Sequence, residues 1–470
     1  MTDYHATLVP ALDALIGDPS ILMPEASSKK KADLLLIPAH YIRRVTSFRD
    51  EISSRGEASQ VLIGYFAKIL EKIHYSKDNQ YVCDNGMRIE FVDEKHYVNR
   101  AGDNNASLTL AAAQYYKESN ETANLAILTG DNSMCACALM GDIDVAHINP
   151  EKYTGRRKLV LPLDLYTAWY KFGYLTIEQI KEYFPNEKPL LINEFVEFEV
   201  DETTAPKKTL GSRIGRFEIP RFSNEPPCLQ CLHYIDDLPN NIKPRTAGQA
   251  MLLEALLAPV DEIPIVISPS IFGTGKTFCA VAVGTYLTSE IKKHRYDQVF
   301  VVPRDSSLGK EIGFLPGDER DKTISKAMPI VDNIKAYVKT NKDKTKGGMP
   351  ISGKEVKIKV KDILDNQYEF VPIISMGGRS IADSWIIYDE AQDMERFQIK
   401  QLMERIGDGS KMIIIGDPDQ VYNTHMNAQS NGLSYAATKM AGSPYAVVVS
   451  LDEEEITRST AAQEIAKRLK

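Results

Sequence analysis

The chain has 470 residues, more than one ordinary domain holds, so two to four domains are expected. Hydrophobic residues make up 43% and charged residues 26%, a balance that excludes a disordered or fibrous protein. The net charge of −8 excludes a protein that coats nucleic acid by bulk electrostatics, so any such contact has to come from a local basic surface.

Residues 1–154 alternate short apolar runs with helical patterns: an apolar run over 34–37, helices over 60–74 and 106–117, and a strand over 125–128. That alternation predicts an α/β unit with a parallel sheet. Residues 155–242 differ in texture. Two helical stretches, over 163–172 and 177–183, precede alternating apolar and polar residues over 190–200 and 213–221, broken by proline and glycine. A β-rich linking module with short antiparallel strands is expected there. Residues 243–470 return to α/β, with strands that end in acidic or Gly-Asp pairs, and a parallel sheet is expected. No internal repeat or low-complexity tract is visible.

The third region carries the chemistry. Ile263-Pro-Ile-Val-Ile-Ser268 has the pattern of a buried strand, and the apolar helix of 278–283 follows Gly273-Thr274-Gly275-Lys276-Thr277. Strand, glycine loop, Lys-Thr and helix in that order make a phosphate cradle. Backbone N–H groups near Gly273, Thr274 and Gly275 would face the phosphates of ATP. Lys276 would reach the β/γ oxygens and the Thr277 hydroxyl would hold Mg²⁺. Ser270 stands where the usual motif has its first glycine.

Ser384-Trp-Ile-Ile-Tyr388 is an apolar strand that ends in Asp389-Glu390-Ala391-Gln392-Asp393. A carboxylate at the end of a strand beside the P-loop strand suits Asp389 to the metal, and Glu390 to polarising the attacking water. Lys411-Met-Ile-Ile-Ile-Gly416 is a further buried strand that runs into Asp417-Pro418-Asp419-Gln420, where Gln420 would sense the γ-phosphate. Upstream, Arg245-Thr-Ala-Gly-Gln249 opens a helix and places Gln249 to read the adenine edge.

Asp-Glu-Ala-Gln followed by Gly-Asp-Pro-x-Gln resembles the superfamily 1 helicase core. Gly313-Phe-Leu-Pro-Gly-Asp318, Gly378-Arg379-Ser380 and Gly409-Ser-Lys-Met412 narrow the resemblance to the PhoH-like ATPase family. The front of the chain resembles the fused form of that family, in which a PIN-type nuclease domain precedes the ATPase. Gly102-Asp103-Asn104-Asn105 and Leu128-Thr129-Gly130-Asp131-Asn132 are similar to two of the acidic PIN motifs.

The PIN resemblance implies a ribonuclease that holds Mg²⁺ or Mn²⁺ on clustered carboxylates, here Asp103 and Asp131. Two positions depart from that pattern. Ala11 stands where the family has its first Asp, with Asp13 out of register, and Arg44 falls where it has a Glu. A PIN fold that only binds RNA or a partner is therefore an open alternative.

Only about fifty residues follow Gln420, too few for a second helicase lobe, so the arginine that completes the ATP site is expected from a neighbouring subunit. The resemblance implies a hexameric ring, with Arg458 as the first candidate for that arginine and Arg405 as the reserve. Single-stranded RNA or DNA is the expected partner. A third reading is a P-loop kinase or scaffold that does no work on nucleic acid.

The lysine-rich stretch 335–361 is either a nucleic-acid loop or a solvated hairpin. Cys228, Cys231 and His233 have the spacing of half a zinc site. Six scattered cysteines suit a reducing cytoplasm, and with no signal-like segment or membrane span in view, a soluble cytoplasmic protein is expected.

Overall fold

The computed structural model describes residues 7–17, 19–24, 32–49, 54–75, 80–100, 102, 104–120, 124–129, 131–147, 153–199, 213–219, 226–238, 242–289, 295–302, 327–340, 351–371, 380–422, 428, 431–457 and 468. The chain divides into two compact units, residues 1–151 and 152–470. The linking module and the P-loop region therefore share one unit.

The first unit is built on β1 (Thr7–Pro10), β2 (Leu34–Pro38), β3 (Tyr81–Val82), β4 (Arg88–Val92), β5 (Leu125–Thr129) and β6 (Asp144–His147). They form one sheet in the order β3-β4-β2-β1-β5-β6, and all neighbours are parallel except β3 against β4. β1, β2 and β5 are buried along their whole length, as strands covered on both faces must be. The chain order reverses between β1 and β5, which opens a crevice at the carboxyl ends of those two strands.

The second unit opens with β7 (Arg156–Val160), β8 (Tyr174–Thr176), β9 (Phe195–Glu199), β10 (Ile214–Glu218) and β11 (Cys228–Cys231). Their sheet runs β7-β9-β10-β11-β8 and is antiparallel except for β7 against β9. Two helices, Leu163–Phe172 and Ile177–Tyr183, match the helical stretches read from the sequence.

The remaining strands are β12 (Ile265–Pro269), β13 (Gln298–Val302), β14 (Tyr368–Phe370), β15 (Ser384–Tyr388), β16 (Lys411–Gly416) and β17 (Ala446–Val448). All are parallel, in the order β14-β13-β15-β16-β12-β17. The expectation that the acidic strand lies beside the P-loop strand is corrected here: β16 sits between β15 and β12. Three equally apolar strands carry no local signal for their lateral order.

Helix Lys276–Leu287 follows β12 and packs on the sheet through a size match. Gly284 leaves room for the buried Trp385 indole, whose Nε1 donates to the Ala280 carbonyl at 3.2 Å. Helix Ala247–Leu257 is buried along its whole length. Thr246 caps its start, accepting from Gln249 N at 3.2 Å, and Ala258, extended before Pro259, ends it. At that end the fully buried Lys411 donates to the carbonyls of Ala255 and Ala258 at 2.7 and 2.8 Å. An ammonium there meets the negative end of the helix dipole, although burial holds its pKa well below the usual lysine value.

The β-rich module is stapled to this domain at several points. Asn193 Nδ2 donates to the carbonyls of Ser443 and Ala446 at 3.1 and 3.2 Å. The buried Glu254 carboxylate accepts from the backbone N–H groups of His233, Tyr234 and Ile235 at 3.0, 3.1 and 2.8 Å. Arg216, 2% exposed, pairs with Glu218 and Glu262. Gly155 has φ of +72°, and a Cβ there would stand 1.7 Å from the Val448 carbonyl oxygen. Gly155→Ala is therefore expected to destabilise the second unit by about 2–4 kcal/mol, from left-handed strain plus a backbone clash. Urea unfolding followed by tryptophan fluorescence checks it, through a lower midpoint at an unchanged slope.

Candidate nucleotide site

The P-loop leaves β12 at Ser268 and Pro269. Positive φ is required at Gly273 (78°) and Gly275 (89°), but Ser270 is not in that region, so glycine is not demanded there. Its hydroxyl has a use of its own: it bonds Ser268 Oγ at 2.7 Å and accepts from Leu451 N at 2.9 Å. Gly275 sits at the N-cap of helix Lys276–Leu287, so the loop delivers its N–H groups to a helix N-terminus, the arrangement that favours phosphate.

Lys276 is 9% exposed, its Nζ 3.5 Å from the Ile271 carbonyl. Thr277 Oγ1 lies 3.4 Å from Asp389 Oδ1, which brings a hydroxyl and a carboxylate together. Both are hard oxygen donors, and the pair fits Mg²⁺. Burial and the neighbouring Glu390 charge push the Asp389 carboxyl up to about 6, against the pull of Lys276. Such a carboxyl is held at a cost until a cation arrives.

Glu390 occupies the left-handed region at φ 60° and ψ 37°, a strained conformation for a residue with a Cβ. Its side chain is held by Gln392, which is fully buried. Gln392 Nε2 donates to Glu390 Oε2 at 2.7 Å and to the Gln420 carbonyl at 3.2 Å, while its Oε1 accepts from Asp417 N at 3.1 Å. Asp417, 3% exposed, grips the P-loop by accepting from Phe272 N at 2.7 Å. A Cβ on Gly416 would come 2.2 Å from Gln392 Oε1, so only glycine fits beside that amide. The motif reading assigns no role to Gln392 or Asp417. Their signal lay inside the two motifs, but which side chain bridges them is a matter of folding.

Gln249 lies at the P-loop, with its amide turned onto the protein. Its Oε1 accepts from Arg245 N at 2.9 Å, and its Nε2 donates to the Thr274 carbonyl at 2.7 Å. Gln420 is half-buried beside the acidic loop through its backbone, its N–H donating to the Asp417 carbonyl at 3.0 Å. Arg405 lies in the turn after helix Arg396–Met403. Arg458, Asp103, residues 313–318 and residues 378–379 lie outside the described residues.

The two ends of the lysine-rich stretch belong to helices Met328–Thr340 and Gly353–Gln367, with Lys335 paired to Asp332 at 2.9 Å, while residues 341–350, where a loop or hairpin is expected, lie outside the described residues. Cys228 and Cys231 sit three apart on β11, which turns their side chains to opposite faces. Among the described residues no three His, Cys, Asp or Glu side chains gather as a metal site.

In the first unit, Asp131 caps helix Asn132–Met140, its Oδ1 accepting from Ser133 N at 2.7 Å. Asp13 stands at the same crevice, accepting from Thr129 Oγ1 at 2.9 Å, and that Oγ1 accepts from Asp131 N at 3.0 Å. His40, 1% exposed, lies between Tyr97 Oη and Asn105 Oδ1 at 3.0 and 3.1 Å, and burial pushes its pKa down to about 4.

Residues 241–470 match the family model described as PhoH-like protein. The C-terminal half carries a PhoH-family domain. The chain is 30% identical over 317 residues to Protein PhoH2 of Bacillus subtilis, across 67% of this chain and 64% of that relative. It is 30% identical over 215 residues to Protein PhoH2 of Thermobispora bispora, across 46% of this chain and 44% of the relative. A PhoH-like protein of Synechocystis is 27% identical over 229 residues, 48% of this chain and 61% of the relative. The chain thus spans less than two thirds of the length of each of these relatives. Among the described residues no helix is long and apolar enough to cross a membrane.

The grip of Asp417 on the P-loop makes a test of the PhoH-domain site. Asp417→Ala frees the Phe272 N–H and is expected to weaken binding of a fluorescent ATP analogue about tenfold, the worth of one charge-assisted hydrogen bond. Fluorescence titration of the full chain checks it.

Proposed function

We propose that the chain is an Mg²⁺-dependent ATPase that uses turnover to move or remodel single-stranded RNA or DNA, working as a homo-oligomeric, hexameric ring in the cytoplasm. The observation that carries the ATPase reading is the constellation of buried Lys276 and Asp389 with half-buried Thr277 and Glu390 beyond the carboxyl ends of β12 and β15, with Glu390 oriented by Gln392. P-loop N–H groups and Lys276 bind the phosphates. Thr277 and Asp389 are the residues that would hold Mg²⁺, which supplies charge neutralisation at the β/γ oxygens. Glu390 accepts the proton of the attacking water, and Gln392 fixes the carboxylate for that transfer. Gln420, tied through its backbone to the same amide, is placed to relay the state of the γ-phosphate. An arginine from a neighbouring subunit, Arg458 first and Arg405 second, completes the charge stabilisation. Gln249 reads the adenine edge through its remaining lone pair, one oxygen site being used by Arg245 N.

The first unit is read as a PIN-type domain with metal-dependent ribonuclease activity. The sheet reversal between β1 and β5, with Asp13, Thr129 and Asp131 bonded there, supports a site in that crevice. Its rival is a PIN fold that only binds RNA or a partner, favoured by the exposed Arg43, paired with Glu94, and by Arg44 on helix His40–Phe48. RNA cleavage assayed with Mn²⁺ separates them. Asp131→Asn keeps the helix cap, since Asn caps as well as Asp, so loss of cutting reports on the metal rather than the fold. No cutting by the wild type rejects the nuclease reading.

For the motor, Glu390→Gln is expected to lower ATP turnover about 10²–10⁴-fold with nucleotide binding retained, and Lys276→Ala to abolish binding. Single-stranded RNA or DNA should stimulate the wild type. Turnover unchanged in Glu390→Gln and unresponsive to either strand would leave a P-loop kinase or scaffold instead.

A further inference from the structure

Segment 449–457, which follows β17, runs along the P-loop and touches it at both ends. Leu451 N donates to Ser270 Oγ, the Leu451 carbonyl accepts from Ile271 N at 3.1 Å, and Thr457 N donates to the Gly273 carbonyl at 3.1 Å. Thr457 Oγ1 also receives Gln249 Nε2 at 3.4 Å. The segment is itself pinned by Glu455, 7% exposed, whose Oε1 accepts from Gly248 N at 2.6 Å. Its other oxygen, Oε2, takes Arg156 at 2.8 Å. The second arm of that guanidinium reaches Asp452 Oδ2 at 2.8 Å.

Arg156 belongs to β7, the first strand of the β-rich module, and its side chain is 10% exposed. The forked guanidinium thus bridges two carboxylates of one loop from outside the P-loop domain, a geometry that a point charge cannot reproduce. Resting on the ATPase reading above, we propose that Arg156 is a positioning residue of the nucleotide site: it holds segment 452–457 against Gly273 and Gln249, so that the β-rich module shares in setting nucleotide affinity.

The two sides of the site are held by different groups. Glu390 is oriented by Gln392 and the loop at Asp417, neither bonded to segment 452–457. Asp417 still grips the loop at Phe272, so loosening the segment relaxes the phosphate cradle at Gly273 and leaves the water-activating carboxylate in place. The effect belongs in affinity, not in the chemical step.

The test uses the full chain and measures both steady-state ATP hydrolysis and direct binding of a fluorescent ATP analogue. Arg156→Ala is expected to raise KM and the analogue's Kd about tenfold, one buried charge-assisted contact, with kcat within about twofold. Arg156→Lys, which keeps one of two bonds, should fall between it and wild type. The loss in the double variant Arg156→Ala/Glu455→Ala should be smaller than the sum of the two single losses, because the pair shares one bond. Unchanged KM and Kd in a folded Arg156→Ala overturn the proposal. So does a fall in kcat with KM unchanged, which a merely structural loss of active protein would give. Should Arg156→Ala fail to fold, the same criteria apply to Arg156→Lys. A wild type that binds the analogue without hydrolysing ATP rejects the ATPase reading, while the Kd comparison still decides the role of Arg156.

Discussion

The site depends on one buried carboxylate. Asp417 leaves the end of β16 and reaches the Phe272 N–H on the far side of a strand boundary, while its own N–H is held by Gln392. A buried acceptor that lost this donor would cost 1–3 kcal/mol or more, so the two loops are locked in one relative position. Because Gln392 also holds Glu390, the P-loop and the Glu390 carboxylate are registered through two side chains. This explains why β16 has to lie between β15 and β12: only a strand in that place can hand a carboxylate to one neighbour and an N–H to the other.

The strain at Glu390 and the raised Asp389 pKa follow from the same compactness. A left-handed backbone at Glu390 turns the chain sharply at the strand end, bringing Gln392 back under the carboxylates. Asp389, pressed beside Glu390 in a buried corner, keeps its charge at a penalty. Both costs are carried by a sheet whose central strands are buried along their full length.

Much of this was legible in the residues because the signals are local. The helices at 163–172 and 177–183 and the strand Ser384–Tyr388 follow from periodicity and from apolar runs bounded by breakers. The P-loop is legible because glycine, lysine and threonine must be close in the chain to surround one phosphate. What escaped is non-local. The order of β12, β15 and β16 leaves no mark on three runs of similar apolar residues. Ser270 reads as a defect in the motif until Leu451, 181 residues away, donates to its hydroxyl. That Arg245 N and the Thr274 carbonyl engage the Gln249 amide is likewise invisible in the motif. The cysteine spacing suggests a metal site only if β11 is taken for a loop, since the strand sends Cys228 and Cys231 to opposite faces.

Helix Ala247–Leu257 draws these threads into one mechanical object. Its first turn gives Gly248 N to Glu455 and Gln249 to the P-loop. Its middle offers Glu254 to three N–H groups of the β-rich module, and Lys411 of β16 closes its last carbonyls. Every one of its residues is buried, so no side of it is free to slide. Buried hydrogen-bonded side chains at start, middle and end are costly to separate from their partners, which makes rearrangement of the helix within the fold expensive. A displacement of the module is therefore carried to Thr274 and Gly273 rather than absorbed on the way. The β-rich segment, though outside the nucleotide motifs, is on this argument part of the frame that holds them.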